Sequence, residues 1–242
     1  MEDKAKLGMN RTGIQMSPFD GPAQAEYASS RPAHPSEMDM QAAGLRASYI
    51  QESERIGSVP VPTTTKGVAT AAKGKLTGND PEVLFDKLGQ RLAFERSGVR
   101  LYQAMIGKVG TVQPANADAL LADLNHICNE EYEHFQMLTQ VVDKLGGDPT
   151  AQTPCADVSA VSNLGILQVI TNPRTTIAQS LESLLTVEMT DNASWELLIQ
   201  LASRTGHQEL DAPFQSALAS EKEHVSKITS WLQTSVLGEK VT

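Results

Sequence analysis

Cysteine is scarce in this 242-residue sequence, which contains only Cys128 and Cys155. No Cys-x-x-Cys pair occurs anywhere in the chain. Cysteine pairs at that short spacing are the usual ligands of zinc ribbons and rubredoxin-type iron sites. The sequence therefore excludes both kinds of site, and we expect two unrelated thiols.

Long apolar runs are also missing. No segment reaches the roughly 18 consecutive apolar residues that a membrane-spanning helix needs. The first ten residues are polar and contain none of the apolar core that marks a signal peptide. We therefore expect a cytoplasmic protein without a membrane partner.

Positive charge is in deficit. The chain has 20 Lys and Arg against 29 Asp and Glu, which gives a net charge of −9. Residues 1–80 carry nine charges of each sign, so the whole excess of negative charge lies in residues 81–242. An acidic body without a run of basic residues repels phosphates, so no nucleic-acid partner is expected.

The first 80 residues hold only three of the eleven aromatic side chains, but six of the twelve prolines and eight of the seventeen glycines. Turn-forming pairs such as Gly21-Pro22 recur there without a sustained period. The pattern predicts an extended or partly disordered arm and linker over residues 1–80. A short helix around Met38–Glu54 is an alternative for part of it, and Thr63–Gly78 is the predicted linker.

Residues 81–242 have a different character, beginning with Asp80, a good N-cap before Pro81. Apolar residues recur there at alternating steps of three and four, the period of a helix with one buried face. The pattern predicts four helices, at about Pro81–Gly107, Ala117–Leu145, Thr175–Arg204 and Asp211–Leu237. About thirty residues separate the second helix from the third, and the other connections are short. This order predicts an all-α bundle of two helical hairpins joined by a long crossover.

Polar residues interrupt each apolar stripe near its middle. They are Glu95 on the first helix, Glu131 and His134 on the second, Glu188 on the third, and Glu221 and His224 on the fourth. Burying several carboxylates at one level is prohibitive unless a cation neutralises them. The stripes therefore predict a metal site inside the bundle.

The spacing of these residues favours two metal ions. Glutamate and histidine three residues apart share one helix face, and this spacing occurs in both Glu131–His134 and Glu221–His224. Each pair also follows another core glutamate at a similar distance: Glu131 lies 36 residues after Glu95, and Glu221 lies 33 residues after Glu188. Carboxylate and imidazole ligands without thiolates suit Fe²⁺, with Mn²⁺ as a competitor.

This ligand pattern resembles that of the ferritin-like di-iron carboxylate superfamily, which includes ferritin, bacterioferritin and rubrerythrin. The resemblance covers about Pro81–Leu237 and implies a ferritin-like four-helix bundle. It also implies two iron ions per chain, with Mn/Fe or Mn/Mn as alternatives. By the same resemblance, the bridging ligands are Glu131 and Glu221, the terminal carboxylates are Glu95 and Glu188, and the nitrogen ligands are His134 and His224.

Two further residues are candidates for a catalytic role. Tyr102, seven residues after Glu95, resembles the tyrosine often found beside such centres. Its counterpart after Glu188 is Trp195, and both fit equally well as core aromatics. Asp191 lies where rubrerythrins place an additional carboxylate, although its side chain is one methylene shorter. It could bind metal directly or through water, orient His134 or Glu188, or hydrogen-bond to the neighbouring helix.

The remaining acidic and histidine residues have weaker patterns. Four glutamates that lie off the core stripes are predicted to be solvated, with guidance of incoming Fe²⁺ as an alternative role: Glu130, Glu133, Glu196 and Glu223. Three histidines lack a paired ligand and are predicted to be structural or exposed: His34, His126 and His207. Cys128 is predicted to be packed rather than reactive.

The resemblance implies an oxidoreductase that oxidises Fe(II), or reduces peroxide or O₂, at a dinuclear centre. No rubredoxin module is present, so a peroxidase cycle would need an external electron donor. Three alternatives stay open: an oxygenase or oxidase of an organic substrate, an iron-storage protein, and a structural or cargo protein with a vestigial site. The expected partners are Fe(II), O₂ or H₂O₂, and further copies of the chain in a homo-oligomer, at least a dimer.

Overall fold

The computed structural model describes residues 17–30, 37–54, 56–60, 65, 67–69, 72 and 81–238. Every regular element among these residues is a helix, which confirms the predicted all-α fold. The α-helices are α1 (Asp20–Ser30), α2 (Glu37–Glu52), α3 (Pro81–Val112), α4 (Ala117–Leu145), α5 (Pro154–Thr171), α6 (Ile177–Arg204) and α7 (Asp211–Leu237). A 3₁₀ turn at Gln208–Leu210 precedes α7. No described helix is long and apolar enough to cross a membrane.

The chain divides into two units, Met1–Glu54 and Arg55–Thr242. In the first unit the prediction of an extended chain was wrong for Asp20–Ser30, which is helical. Gly21-Pro22 lies in the first turn of that helix, where proline costs no hydrogen bond. Ser17 precedes this turn and accepts a hydrogen bond from the Asp20 backbone N–H at 3.3 Å.

The alternative of a short helix around Met38–Glu54 is confirmed by α2. No side chain of α1, and none of the described side chains of α2, is buried. Most of the predicted linker Thr63–Gly78, the predicted N-cap Asp80 and His34 lie outside the described residues.

The four predicted bundle helices are α3, α4, α6 and α7. Helix α3 packs against α4 and helix α6 packs against α7, forming the two predicted hairpins. Contacts of α3 with α6 and of α4 with α7 close the bundle. Helix α3 continues five residues beyond its predicted end at Gly107, because Met105 and Val109 are fully buried. The burial of these side chains outweighs the low helix propensity of the exposed Gly107 and Gly110.

The crossover, which was predicted only as a long connection, contains a helix, α5. Thr153 caps its N-terminus by accepting a hydrogen bond from the Ala156 N–H at 3.3 Å, and Pro154 occupies its first turn. Helix α5 packs on α3 and α6. A side chain at Gly89 of α3 would overlap Thr153, so the glycine permits this close approach.

Lys108 of α3 anchors the end of the crossover. Its Nζ donates to the carbonyl oxygens of Ile170 and Asn172 at 3.0 and 3.1 Å. It also donates to Ser180 Oγ on α6 at 2.9 Å. A charged donor thus satisfies carbonyls at the end of α5 and ties them to the next helix.

Two apolar clusters fill the bundle along its axis. One cluster includes Leu101, Leu124, Leu184 and Ile228, and the other includes Leu88, Leu138, Leu198 and Phe214. On each of the four helices, the predicted ligands lie between members of the two clusters. The polar level is therefore enclosed by apolar packing on both sides.

We expect deletion of residues 1–62 to leave the bundle folded, since α1 and α2 contribute no buried side chain to a core. Circular dichroism should retain a helical spectrum, and the truncated protein should keep one cooperative thermal transition. Size-exclusion chromatography with light scattering would report any role of the segment in assembly.

Deletion of residues 1–92 is the matched control, because it also removes Leu84, Leu88 and Leu92 from the core. That variant should lose the cooperative transition. An unfolded 1–62 deletion would contradict the prediction, whereas a change of oligomeric state alone would indicate that the segment serves assembly.

Candidate metal centre

The structure brings all six predicted ligands together in the middle of the bundle. Glu95, Glu221 and His224 are fully buried, Glu131 and Glu188 are 1% exposed, and His134 is 7% exposed. One or two residues come from each of α3, α4, α6 and α7, as the matching stripes predict.

These side chains form two overlapping halves. The His134 half consists of Glu95, His134 and Glu221, and the His224 half consists of Glu131, Glu188, Glu221 and His224. Within each half, the potential ligand atoms all lie within 4.8 Å of one another. Glu221 belongs to both halves, which is the arrangement expected of a bridging carboxylate.

Each histidine faces its half through Nδ1. His224 Nδ1 lies 3.1 Å from Glu221 Oε2, 3.4 Å from Glu131 Oε1 and 3.5 Å from Glu188 Oε2. His134 Nδ1 lies 2.8 Å from Glu221 Oε1 and 3.7 Å from Glu95 Oε2.

Several of these buried atoms have no hydrogen-bond partner in the described part of the chain. They are Glu95 Oε2, Glu131 Oε1, His134 Nδ1, Glu188 Oε2 and Glu221 Oε1. The short approach of His134 Nδ1 to Glu221 Oε1 lacks the alignment of a hydrogen bond. Buried polar atoms normally find partners, so converging atoms without any are what a cation site requires. Oxygen and imidazole donors in this number fit two divalent ions such as Fe²⁺ or Mn²⁺.

Burial and mutual repulsion control the charge of the cluster. Burial raises the pKa of Glu131 well above its usual range, and the neighbouring Glu221 carboxylate raises it further. Burial lowers the pKa of His134, but contacts with Glu221 and Glu95 outweigh this effect and raise it to about 10. Without a metal ion, Glu131 and His134 therefore tend to keep their protons, which a metal ion must displace.

Tyr102 contacts the centre directly. Its hydroxyl donates to Glu188 Oε1 at 2.6 Å, which leaves Glu188 Oε2 free to face His224. Burial, and then the charge of Glu188, raise the pKa of Tyr102 well above its usual range, so the hydroxyl remains a donor. Its counterpart Trp195 instead packs edge-on against two rings. The centroid of the Trp195 ring lies 5.8 Å from that of His134 and 5.4 Å from that of Phe214.

The prediction that Glu130 is solvated was wrong. Glu130 is half-buried, and its Oε2 lies 3.0 Å from His224 Nε2. Ser220 Oγ donates to Glu130 Oε1 at 3.3 Å. A metal-binding histidine usually donates its second ring N–H to such a carboxylate, which fixes the orientation of the ring. Its position next to Glu131 was the available sequence signal, but the sequence does not show that Glu130 faces α7.

The other off-stripe glutamates, His126 and the two cysteines lie in the environments that the sequence predicts. Glu133, Glu196 and Glu223 are exposed, as predicted. His126 is exposed and lies 3.2 Å from Glu130. Cys128 and Cys155 are free, and Cys128 packs against an apolar cluster.

Arg91, one turn before Glu95, was missed by the sequence analysis. It is 1% exposed, and its Nη2 donates to both Glu95 Oε1 and Asp191 Oδ1. Asp191 therefore hydrogen-bonds to the neighbouring helix, one of its predicted alternatives. The i, i+4 spacing of Arg91 and Glu95 on the buried stripe of α3 was the signal that could have identified the residue.

Gly98 provides the space for Glu131. A methyl group at Gly98 would overlap Glu131 Oε2 and crowd its carboxyl carbon. Glycine at this position lets the Glu131 carboxylate stay in place, although glycine in the middle of a helix costs about 1 kcal/mol of helix stability.

We expect the double variant Glu131→Ala, Glu221→Ala to lose binding of both metal ions, because each carboxylate contributes to more than one ligand group. Calorimetry with Fe²⁺ under anaerobic conditions should show two equivalents for the wild type and none for the variant. Exposed Glu133→Ala, Glu223→Ala is the matched control. Two equivalents bound by the first double variant would refute the ligand assignment.

We expect Gly98→Ala to weaken metal binding by about tenfold or more, since the methyl group displaces a ligand carboxylate. Gly107→Ala is the control on the same helix, because nothing lies within 4 Å of a side chain there. The measurement is metal affinity with helical circular dichroism recorded in parallel. Equal affinities for the two variants would show that Gly98 has no bearing on the centre.

One family model and one solved structure described below are similar to this chain. No curated protein matches the sequence. A solved structure from Bacillus anthracis str. Ames, described as ferritin like, diiron-carboxylate proteins, is 21% identical, with a TM-score of 0.49 over 62% of this chain and 94% of that chain. Residues 111–236, just over half of the sequence, match the family model of the ferritin-like domain. The matched segment includes five of the six predicted ligands, and Glu95 precedes it. The chain belongs to the ferritin-like domain family.

Proposed function

We propose that this protein binds two iron ions per chain and oxidises Fe(II), or reduces peroxide or O₂, at the centre formed by the two halves. The observation that carries the proposal is the pair of His-containing halves sharing Glu221. Each half offers one imidazole nitrogen and carboxylate oxygens that have no protein partner. Two iron ions held there would supply two electrons to one oxidant.

The ligand set would be divided between the halves in a defined way. Glu95 and His134 would hold one ion, and Glu188 and His224 the other. Glu221 belongs to both halves, and Glu131 of the His224 half also lies within 4.8 Å of Glu95 of the His134 half. Both carboxylates would therefore be shared between the two ions. Mn/Fe or Mn/Mn occupancy satisfies the same donors.

The surrounding residues orient the ligands and exclude water. Tyr102 ties one oxygen of Glu188, and Glu130 faces the outer nitrogen of His224. The two apolar clusters close the centre along the bundle axis. The ligands therefore keep their positions while the charge of the centre changes, which lowers the reorganisation that electron transfer requires.

An organic substrate is the second candidate. A cavity of about 190 Å³ lies between α3, α5 and α6, with Phe94 and Val187 among its lining residues. These two residues immediately precede Glu95 and Glu188. The cavity thus lies beside the helix segments that carry the centre, a location that suits a di-iron oxygenase or oxidase acting on a small molecule.

We expect the reduced centre to react faster with H₂O₂ than with O₂. The motivation is the placement of two groups beside the centre: Asp191, which is held by Arg91 and acts through it rather than as a ligand, and Tyr102, which donates to Glu188. The experiment is metal analysis of protein purified without added metal, then stopped-flow oxidation of the Fe²⁺-loaded form by each oxidant separately. Second-order rate constants are compared between wild type and Asp191→Ala.

Exposed Asp118→Ala is the control for that comparison and should behave as wild type. Equal or faster reaction with O₂ in the wild type, or an unchanged peroxide rate in Asp191→Ala, would remove the peroxidase assignment. A ferroxidase or oxygenase would then be favoured. Absence of any oxidation would contradict the proposed function as a whole.

A further inference from the structure

Arg91 introduces a positive charge at the level of the metal ligands. Only 1% of the residue is exposed, and its two carboxylate partners, Glu95 and Asp191, are equally buried. A guanidinium withdrawn from water requires compensation by charge and hydrogen bonds. Arg91 obtains opposite charge and hydrogen bonds through Nη2 from a predicted ligand of α3 and an acidic residue of α6, whereas its Nε and Nη1 have no partner among the described residues.

The position of the guanidinium is fixed by more than its ion pairs. Its central carbon lies 4.6 Å from the ring centroid of Phe94 and 5.3 Å from that of Trp195. Both distances are within the range of cation–π attraction. A charge held by two aromatic rings and two carboxylates is a permanent component of the centre.

The guanidinium contacts a group of carboxylates that has the geometry of a cation site. Oxygens of Glu95, Glu131, Asp191 and Glu221 lie within 4.8 Å of one another and are all buried. Arg91 contacts two of these four residues, Glu95 and Asp191. The chain thereby provides its own cation where a further metal ion would otherwise find ligands.

Two divalent ions together with Arg91 would balance the negative charges of the described centre. Its buried carboxylates are Glu95, Glu131, Glu188, Asp191 and Glu221. Two divalent ions offset four negative charges, and Arg91 offsets the fifth. Without the guanidinium, Asp191 would bring one uncompensated negative charge to the same ligand group.

The two hairpins differ at the corresponding positions. Arg91 lies four residues before Glu95, whereas the residue four before Glu188 is the buried Leu184. Asp191 lies three residues after Glu188, whereas the residue three after Glu95 is Gly98. The cation and its added anion are thus supplied by opposite hairpins and meet only in the folded bundle.

We propose that Arg91 is a positioning residue that neutralises Asp191, keeps it from ligating a metal ion and limits the cluster to two divalent ions. The inference rests on the proposed dinuclear centre but not on its oxidant. Arg91 also ties Glu95 Oε1, so that Glu95 offers only Oε2 toward His134. In the other half, the neutral hydroxyl of Tyr102 ties Glu188 in the same way.

The test is titration of the full-length, metal-free protein with Mn²⁺, followed by calorimetry and by electron paramagnetic resonance of the unbound ion. The wild type should bind two Mn²⁺ per chain. Arg91→Leu frees Asp191 as a ligand, so it should bind a third Mn²⁺ or hold its weakest ion at least about tenfold more tightly. Asp191→Asn leaves the guanidinium unbalanced beside Glu95 and should weaken one of the two ions about tenfold.

The double variant Arg91→Leu, Asp191→Asn separates this role from a purely structural one. It leaves neither member of the pair charged, so it avoids the cost of a single buried charge and should bind two Mn²⁺ as the wild type does. Mn²⁺ binding that is weakened in Asp191→Asn should thus return in the double variant. This comparison still decides the question if Arg91→Leu alone fails to fold without metal. Arg100→Leu, an exposed change on the same helix, should leave binding unaltered.

Opposite effects of the two single changes, cancelled in the double variant, would support the proposal. Weaker binding in the double variant than in Asp191→Asn, or Arg91→Leu folded with unchanged or reduced Mn²⁺ binding, would overturn it. Wild-type protein that binds no Mn²⁺ and no Fe²⁺ would instead refute the dinuclear centre itself. Because Mn²⁺ binding is measured without an oxidant, failure of the oxidation experiment leaves this result interpretable.

Discussion

The cost of placing carboxylates out of water in the middle of a helical bundle governs this structure. In the described part of the chain, Glu95, Glu131, Glu188, Asp191 and Glu221 converge at one level with almost no exposure. Each would destabilise the fold by several kcal/mol if it were charged and alone. Two imidazoles, one guanidinium and the protons held on neighbouring groups reduce this cost, and divalent ions would reduce it further.

Apolar packing makes such a level tolerable. The clusters around Leu124 and Leu138 lie on opposite sides of the ligands and hold the four helices together. Glycine appears where backbone and ligand must approach closely, as at Gly98 beside Glu131. The crossover helix is held by Lys108, which ties its end to α6, the helix that carries Glu188. The stability of the bundle thus comes from regions outside the centre, so the ligand residues are free to serve another purpose.

The two halves carry matching ligands but different supporting residues. His224 is oriented by Glu130, and Glu188 is held by the neutral hydroxyl of Tyr102. His134 instead packs against Trp195, and Glu95 is held by the cationic Arg91. The repeat in the sequence therefore gives an approximately duplicated ligand set in two chemically different environments. Such a difference allows two ions in one centre to have different affinities and redox properties.

The sequence by itself determined the four bundle helices and the six residues that meet inside them, because both depend on helical periodicity along one segment. The same local rules supported α2, and Thr153-Pro154 was a local signal for α5 that went unused. Only the tertiary structure decided the pairing of Arg91 with Asp191, the contact of Glu130 with His224 and the space that Gly98 leaves for Glu131. Each of these contacts joins different helices, and its geometry depends on how the helices are rotated and spaced against each other. Periodicity identifies the buried face of one helix, but it does not specify which atoms of another helix that face will meet.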